Sequence, residues 1–362
     1  MIKASAPGKL FIAGEYAVVT NNHPAILVAV NQFITVSLDE AIDEGTINST
    51  LNGGLPVPWT RQDGALHIDE RENPFIYITQ AVTVTEQYIS ELNKELLFFH
   101  LSVESELDNA KGKKYGLGSS GAVTVATIKA LLKFYKVPYT PELVYKLASL
   151  AHLSVKSNGS FGDIAASCFT GWIAYSCFDR EWVKKKQTEM TITELITMPW
   201  PDLMIRQLRV PDNLQLLIGW TASPASTTHL VDKVNDKRQD MADFFPNFLA
   251  KSKTIVNDLI IAFDQNKTQA IKDGIRKNRA LLLKLAKHTG ISIETPLLEK
   301  LVEAAETFGG AAKSSGAGGG DCGIALVDNA DTILPLFKQW EADGVVPLPL
   351  EVYQEDEGAG VL

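Results

Sequence analysis

A glycine-rich stretch at positions 115–122, Tyr-Gly-Leu-Gly-Ser-Ser-Gly-Ala, carries the clearest chemical signal in the sequence. Val125, Ile128 and Leu132 follow it at helical spacing, so the stretch leads into the N-terminus of a helix. The N–H groups and the positive dipole end of a helix N-terminus attract anions. Hydroxyls suited to Mg²⁺ and additional positive charge are close by, in Ser119, Ser120, Lys111, Lys113 and Lys114. The pattern predicts a cradle for the phosphates of a nucleoside triphosphate.

Two other nucleotide-binding patterns fit this stretch poorly. A dinucleotide fold needs a buried strand directly before the glycines and an acidic residue about 20 positions later. Residues 109–114 are polar and basic, and Glu142, at a suitable distance, follows Thr140 and Pro141 in a helix-start pattern. A P-loop is absent, because no Gly-Lys-Ser/Thr follows a glycine-rich run. The remaining alternative is a structural turn between a strand and a helix.

Four other segments could contribute to a phosphate site. Lys9 lies inside an apolar run that ends at Gly14-Glu15-Tyr16, and an ammonium buried without a partner is costly. The segment 158–163 delivers Asp163 to the start of another apolar stretch. The hydroxyl-rich residues 220–228 follow a predicted strand and could form a second anion site. A second glycine-rich run at 313–323 implies a close approach of its backbone to another group.

The first three of these segments also have a purely structural interpretation. Lys9 could extend its ammonium to water from a strand end. Asp163 could cap a helix, as could the hydroxyls of 220–228. The basic stretch around Arg279 would by default be a solvated helix face, although a guanidinium suits a phosphate. No single one of these segments is strong evidence for a phosphate site; their combination is.

Length and composition limit the kind of protein. With 362 residues the chain is long enough for two domains, and its 45% hydrophobic and 21% charged residues are typical of a globular protein. The net charge of -9 argues against a nucleic-acid binder or a membrane-surface binder, because both need a basic face. Cys168, Cys177 and Cys322 lack the spacing of a zinc site or a disulfide framework. The sequence shows neither a signal peptide nor a membrane span, so we expect a cytoplasmic protein, as a monomer or a homodimer.

Strands and helices are interspersed without a regular βαβ rhythm, which predicts an α+β fold. Residues 1–40 alternate as strands do, and Pro199-Trp200-Pro201 interrupts both periodicities. We therefore expect an N-terminal domain over 1–200 and a C-terminal domain over 201–362. Further strands are predicted at 97–106, 173–178, 214–219, 324–327 and, at a sheet edge, 345–352. Helices are predicted at 74–92, 141–152, 240–264, 267–288, 295–308 and 332–342.

Three of the segments, in this order, resemble the galactokinase–homoserine kinase–mevalonate kinase–phosphomevalonate kinase (GHMP) superfamily. They are 7–15, which begins Pro-Gly-Lys; 116–120, Gly-Leu-Gly-Ser-Ser; and 315–320, Ser-Gly-Ala-Gly-Gly-Gly. Gly14-Glu15-Tyr16, residues 220–227 and residues 319–322 are most similar to the bacterial members that phosphorylate 5-phosphomevalonate. The resemblance spans nearly the whole chain. It implies an N-terminal domain like ribosomal protein S5 domain 2 and a ferredoxin-like C-terminal domain, with the substrates meeting between them.

The resemblance also implies roles for individual residues. Such kinases transfer the γ-phosphoryl group of ATP with the help of Mg²⁺; Lys9 and Asp163 match the family's catalytic pair, and Ser120 matches a magnesium ligand. The implied ATP-binding residues are Lys111, Lys113, Gly116, Leu117, Gly118, Ser119, Ser120, Gly121 and Ala122. The implied substrate-binding residues are Lys9, Tyr16, Lys114, Asn158, Ser160, Ser223, Ala225, Ser226, Thr227, Arg279, Gly316 and Gly318.

Two questions stay open at the level of the sequence. Mevalonate kinase relatives have a glutamate that also ligates the metal, whereas the comparable stretch here offers His152, so a second protein ligand is not identified. The alternative functions are a mevalonate kinase with an alcohol acceptor, a diphosphomevalonate decarboxylase, and a non-catalytic nucleotide-binding module. The presence of Lys9, Ser120 and Asp163 argues against the last of these.

Overall fold

The computed structural model describes residues 1–50, 54–62, 65–68, 75–108, 114–155, 159–223, 230, 232–234 and 243–355. The strands of the first sheet are β1 (Ile2–Ala13), β2 (Ala25–Ala41), β3 (Gly45–Ser49), β4 (Val57–Gln62), β5 (Ala65–His67), β6 (Phe98–Ser105), β7 (Trp172–Ser176) and β8 (Met204–Gln207). The helices of the same part are α1 (Ile76–Glu91), α2 (Ser119–Phe134), α3 (Pro141–Ser154), α4 (Gly162–Phe169), α5 (Arg180–Gln187) and α6 (Ile192–Thr197).

A second sheet and its helices follow in the C-terminal part. The strands are β9 (Gln215–Trp220), β10 (Ala311–Ser314), β11 (Cys322–Val327) and β12 (Val346–Leu348). The helices are α7 (Phe244–Asp264), α8 (Thr268–Thr289), α9 (Pro296–Thr307) and α10 (Ile333–Asp343). The fold is therefore an α+β fold with two sheets, as the sequence predicts.

The long strand β2 organises the first sheet. One of its edges pairs with β1 along most of its length, and the other edge is shared by β6 and β7. The strand order is β5-β4-β3-β6-β2-β7-β8, with β1 on β2. The pairing of β1 with β2 shifts register between Pro7 and Gly8, directly before Lys9. Such a bulge redirects the side chains that follow it.

Helix α2 lies at the centre of the layer that covers this sheet. It packs against β1 and β2 and against α1, α3 and α4. Val125, Ile128 and Leu131 are fully buried, as expected for a helix that is apolar on most of its surface. The N-terminus of α2 is therefore held in place from several sides.

The second sheet has the order β10-β11-β9-β12, with every pair antiparallel. A first strand, helices, a two-strand hairpin, a helix and a fourth strand follow one another along the chain. This succession and strand order are those of a ferredoxin-like unit. The end of the chain then returns to the first sheet, where the Tyr353 N–H donates to Ala29 O and Gly171 N–H donates to Tyr353 O.

Most of the predicted elements are found close to the predicted positions. Thr140 caps α3 by accepting from Leu143 N–H, with Pro141 at the first helical position, as the sequence predicts. The short helices α5 and α6 were not expected. The first sheet also includes β8, which lies beyond position 200, so the change from one sheet to the other falls between 207 and 215. Within the described part of the chain, no helix has both the length and the apolar character needed to cross a membrane.

Candidate active site

Lys9 projects from β1 toward the glycine-rich stretch. Its backbone N–H donates to Leu117 O at 2.8 Å, which ties the strand to that stretch. A Cβ built on Gly118 would lie only 2.8 Å from Cε of Lys9. The lysine side chain therefore lies directly on the backbone that precedes α2.

The backbone of this stretch takes a conformation that glycine favours. Gly116 has φ 80° and Gly118 has φ 79°, and Gly118 is the N-cap of α2. Among the described residues, no side chain caps this helix end. Ser119 and Ser120, the first two residues of the helix, are partly exposed. The first-turn N–H groups and two hydroxyls thus share one small region, as an anion site requires.

Asp163 reaches the same region from α4. The helix starts at Gly162, after Phe161 with φ 59°, and Asp163 is in its first turn. A Cβ on Gly121 would lie 2.7 Å from Oδ2 of Asp163, and a Cβ on Gly118 would lie 3.3 Å from Cβ of Asp163. Lys9 and Asp163 therefore pack against the same glycine of the first glycine-rich stretch.

Burial and nearby acidic groups have opposite effects on the pKa of Lys9. Burial lowers the pKa of its ammonium from the ordinary value of 10.5. The nearby carboxylates of Asp163, Asp321 and Glu15, together with the Cys322 thiol, act in the opposite direction. An ammonium that is removed from water and lies near carboxylates is expected where a side chain stabilises the negative charge of a substrate.

His152 of α3 lies behind the first turn of α2. Its Nε2 is 3.0 Å from the Thr124 hydroxyl, and that hydroxyl donates to Ser120 O at 2.9 Å. The Thr124 oxygen therefore accepts from His152, so Nε2 carries the hydrogen in this network. Burial lowers the pKa of His152, and Asp163 opposes that shift. These contacts give His152 a role in holding the backbone of Ser120.

The second glycine-rich run is fastened to the first sheet at several points. The Ser315 hydroxyl accepts from Phe11 N–H at 2.9 Å and donates to Phe11 O at 3.0 Å. The Tyr16 hydroxyl donates to Ala317 O at 2.6 Å. A Cβ on Gly318 would collide with Ile293 O at 2.2 Å. This run therefore forms a fixed wall beside β1, in which position 318 has no room for a side chain.

The two glycine-rich runs meet where Asp321 and Cys322 approach the first of them. A Cβ on Gly116 would lie 2.5 Å from the Asp321 carboxyl group. The Cys322 thiol donates to Tyr115 O at 3.1 Å. The sequence-based expectation that both runs belong to one region agrees with this geometry.

A buried polar cluster beneath these runs was missed in the sequence. Lys313 of β10 donates to the Glu15 carboxylate, and the Asn278 amide donates to the other oxygen of Glu15 at 3.1 Å. Asn278 also accepts from Gly14 N–H at 3.3 Å. Only two alanines precede Lys313 and two serines follow it, so the sequence gives it little of the apolar context that singled out Lys9.

The remaining predicted substrate-binding residues differ in their surroundings. Arg279 donates two hydrogen bonds to Glu294, at 2.7 and 2.8 Å, so its guanidinium is already paired. The Ser160 hydroxyl accepts from Gly162 N–H at 3.3 Å, beside Asp163. Lys114 and Ser223 are exposed, and Gly316 faces open space. Six predicted site residues lie outside the described residues: Lys111, Lys113, Asn158, Ala225, Ser226 and Thr227.

Models of two protein families match the chain. Residues 77–171 match the GHMP kinases N terminal domain, which includes α2 and Asp163. Residues 259–345 match the GHMP kinases C terminal domain, which includes the second glycine-rich run. Both glycine-rich runs and Asp163 therefore lie within matched segments, whereas Lys9 precedes the first of them.

Proteins similar to this chain match it over nearly its whole length. A phosphomevalonate kinase from Streptomyces sp. (strain CL190) is 38% identical over 95% of this chain and 95% of its own length. The crystal structure of a Lin0012 protein from Listeria innocua has a TM-score of 0.91 and 37% identity, covering 98% of both chains. The Streptococcus pneumoniae phosphomevalonate kinase in complex with phosphomevalonate and AMPPNP has a TM-score of 0.85 and 30% identity, covering 98% of this chain and 100% of that one. On these matches, and with the lysine, the aspartate and both glycine-rich runs gathered together, the chain belongs to the GHMP kinase family.

Proposed function

We propose that this chain is a phosphomevalonate kinase, which transfers the γ-phosphoryl group of ATP to the phosphate of 5-phosphomevalonate and releases the 5-diphosphate and ADP. The observation that carries the proposal is the packing of Lys9 and Asp163 against the same residue, Gly118, at the N-terminus of α2. The names of the Streptomyces and Streptococcus pneumoniae relatives support the choice of acceptor.

The stretch 116–122 is proposed to hold the phosphates of ATP. Its backbone N–H groups lie at the N-terminus of a helix fixed within the core, so they are oriented before the nucleotide binds. Preorganised donors of this kind stabilise charge without reorganising during the reaction. Lys111 and Lys113 are proposed to add positive charge at the same end of the site.

The residues at this helix end fit Mg²⁺. Ser120 would hold the ion through its partly exposed hydroxyl, since Mg²⁺ accepts oxygen ligands and keeps several waters and phosphate oxygens around it. When bound, the ion neutralises charge on the transferred phosphate. Among the residues that the structure describes, no three His, Cys, Asp or Glu side chains group as a metal site. Substrate phosphates and water would then supply most of the other ligands, and His152 is engaged with Thr124.

Lys9 and Asp163 are proposed to organise the transfer itself. An oxygen of the acceptor phosphate attacks the γ-phosphorus, the bond from that phosphorus to the bridging oxygen of ADP breaks, and its electron pair stays on ADP. Because the acceptor phosphate is largely ionised near neutral pH, the reaction needs little help from a general base. Lys9 neutralises the incoming and migrating oxygens, while Asp163 orients Lys9 and helps to hold the acceptor.

The acceptor is proposed to lie between the two glycine-rich runs. Ser160 lies near Asp163, and Gly316 and Gly318 belong to the second run. Tyr16 would act by fixing that run through Ala317, and Arg279 by holding Glu294, next to Ile293. Lys114, Asn158, Ser223, Ala225, Ser226 and Thr227 complete the proposed set of substrate-binding residues.

We also propose that the ATP-binding unit is the N-terminal domain, expected from the sequence over residues 1–200 but extended here to include β8, and that the C-terminal domain begins between 207 and 215. We further propose a cytoplasmic enzyme that is a monomer or a homodimer; the free, buried cysteines agree with a reducing compartment.

An ADP-release assay with two acceptors side by side tests the function. With MgATP, we expect rapid ADP release with 5-phosphomevalonate and little with mevalonate. Faster turnover of mevalonate would instead identify a mevalonate kinase. Release of carbon dioxide from 5-diphosphomevalonate would indicate a decarboxylase, and tight ATP binding without turnover of any of the three acids would indicate a non-catalytic module.

A further inference from the structure

Arg180, the first residue of α5, carries a guanidinium that forms no ion pair with any carboxylate of the described residues. Its side chain is nevertheless only partly exposed to water. A guanidinium that is partly removed from water and has no counter-ion suits an anionic ligand. Four other arginines each pair with a carboxylate: Arg61, Arg206, Arg276 and Arg279.

The hydrogen-bonding capacity of Arg180 is largely unused. Nη2 donates to Val19 O at 3.4 Å, which is long for a hydrogen bond. Burial raises the pKa of the neighbouring Cys177 thiol, and Arg180 acts against that shift. Nε of Arg180 is buried and has no acceptor in the described part of the chain. Because buried N–H groups normally have an acceptor, the guanidinium is available to one from outside the chain.

Arg180 joins two segments that belong to the proposed site. Its guanidinium lies over the ring of Phe161, with 5.2 Å between its central carbon and the ring centroid. Phe161 is the N-cap of α4, whose first turn includes Asp163. Val19 ends the short helical turn Ala17–Val19, which follows Tyr16. The guanidinium therefore lies where the segment after β1 meets the segment that leads to Asp163.

Of the two charged ends of 5-phosphomevalonate, the carboxylate suits Arg180 better. The phosphate end has to reach Lys9 and the N-terminus of α2, where the transfer is proposed to take place. Arg180 has no hydrogen bond or ion pair with Asp163 in the part of the chain that is described, so it stands apart from that point. A short carbon chain separates the two ends of the acid, and a planar guanidinium can bind a carboxylate through two parallel hydrogen bonds.

We propose that Arg180 binds the carboxylate of the acceptor, so that the acid is held at this end while its phosphate lies at Lys9. The inference rests on the proposed function for the identity of the acid, and it deepens that function by assigning the residue that recognises the unreactive end. Arg279 is already paired with Glu294, which leaves the recognition of this charge to Arg180.

Arg180→Met removes the guanidinium and keeps an unbranched side chain against Phe161. We expect the KM for 5-phosphomevalonate to rise about 10- to 100-fold, as for the loss of a charged hydrogen bond, with the KM for ATP changed by less than about threefold. Arg180→Lys keeps the charge without the planar fork, so its KM should be intermediate. Arg206→Met is the matched control, because Arg206 pairs with Asp264 at the surface. It should leave both constants as in the wild type.

An acceptor without the carboxylate tests the same contact in the wild-type protein. In the reduced analogue of 5-phosphomevalonate, a hydroxymethyl group replaces the carboxylate. The kcat/KM of the wild type should be about 10- to 100-fold lower with this analogue, whereas Arg180→Met should use both compounds about equally well. An equal preference for the acid in both proteins would overturn the proposal. Equal use of the two compounds by the wild type would overturn it even if Arg180→Met did not fold.

Isothermal titration calorimetry separates this inference from the proposed function. Mevalonate, 5-phosphomevalonate and 5-diphosphomevalonate share the carboxylate, so Arg180→Met should bind more weakly whichever of these acids the wild type binds. If it does so while the wild type fails to phosphorylate 5-phosphomevalonate, the proposed function is wrong and the role of Arg180 stands. Equal affinities in the wild type and Arg180→Met would overturn that role, as would a wild type that binds none of the three acids.

Discussion

Lys313 of β10 donates a hydrogen bond to the carboxylate of Glu15, and the two side chains are only 0% and 2% exposed. This buried ion pair joins the segment after β1 to the strand that precedes the second glycine-rich run. Asn278 of α8 satisfies the other oxygen of Glu15. Removing one partner would leave an uncompensated charge in the interior, which costs far more than the loss of a surface pair.

Lys313→Met should lower the free energy of unfolding by about 3–5 kcal/mol, because Glu15 would remain buried without its cation. Urea unfolding followed by circular dichroism measures this change. Lys300→Met, at an exposed position of α9, is the control and should change the free energy by less than about 0.5 kcal/mol. Similar small values for both variants would show that Lys313 does not depend on Glu15.

Lys9→Met should reduce kcat by about 10²–10³-fold, because the cation facing the transferred phosphate is lost. Asp163→Ala should reduce kcat to a similar extent. Both variants should remain folded, as judged by circular dichroism and by their elution volume in gel filtration. Wild-type turnover in either folded variant would refute its assignment as a catalytic residue.

The stability of Lys9→Met should differ from that of the wild type in a pH-dependent way. Burial lowers the pKa of Lys9 from 10.5, so the unfolded chain binds the proton more tightly than the folded chain does. The free energy of unfolding of the wild-type protein therefore rises as the pH rises from the folded-state pKa of Lys9 toward 10.5. Lys9→Met has no ammonium to bury, so its free energy of unfolding should exceed that of the wild type most below the folded-state pKa. This difference should shrink toward pH 10.5. Urea unfolding of both proteins across this range tests it, and an advantage that grows with pH would contradict it.

Gly118→Ala should damage both stability and turnover. The residue has φ 79°, and the added methyl group would lie 2.8 Å from Cε of Lys9. Gly309→Ala is a matched control, because Gly309 has φ 80° with no heavy atom within 4 Å of the added methyl group. Both variants should lose about 1–2 kcal/mol in free energy of unfolding from the left-handed backbone, but only Gly118→Ala should also lose kcat. Equal kcat values in the two variants would argue against a role for the contact with Lys9.

Tyr16→Phe should raise the KM for 5-phosphomevalonate more than the KM for ATP. The substitution removes the donor to Ala317 O in a buried position, which loosens the second glycine-rich run at a cost of about 1–3 kcal/mol. Steady-state kinetics with each substrate varied in turn measures the two constants. Tyr88→Phe, at a buried position of α1, should leave both constants unchanged. A change confined to the KM for ATP would contradict the proposed position of the acceptor.

The sequence predicts local features of the site better than long-range ones. Gly118 and the helix after it follow from local spacing, and Thr140 was identified as a cap from its neighbours alone. The partner of Lys313 is 298 positions away in the chain, so no local pattern could reveal that it is Glu15. The neighbours of Lys313 in the sequence, two alanines and two serines, give little sign that its ammonium is buried.

Helices α5 and α6 were missed for a different reason. They are short, and α5 is highly charged, so hydrophobic periodicity gives little signal over their length. Their capping residues do carry a signal. Thr191 and Glu194 form a capping box at the start of α6, and Asp179 caps α5. A search for capping boxes in the sequence would have found α6.

Phosphorus-31 NMR of the reaction mixture tests most directly whether a phosphate accepts the transferred group. With wild-type protein, MgATP and 5-phosphomevalonate, we expect the resonance of the monophosphate to give way to two mutually coupled resonances of an organic diphosphate while ADP accumulates. The same mixture with Lys9→Met should remain nearly unchanged over that time. Formation of ADP with only inorganic phosphate would contradict the proposed reaction. So would a mixture with mevalonate in place of 5-phosphomevalonate that gives a new uncoupled phosphate monoester while the first mixture gives no diphosphate.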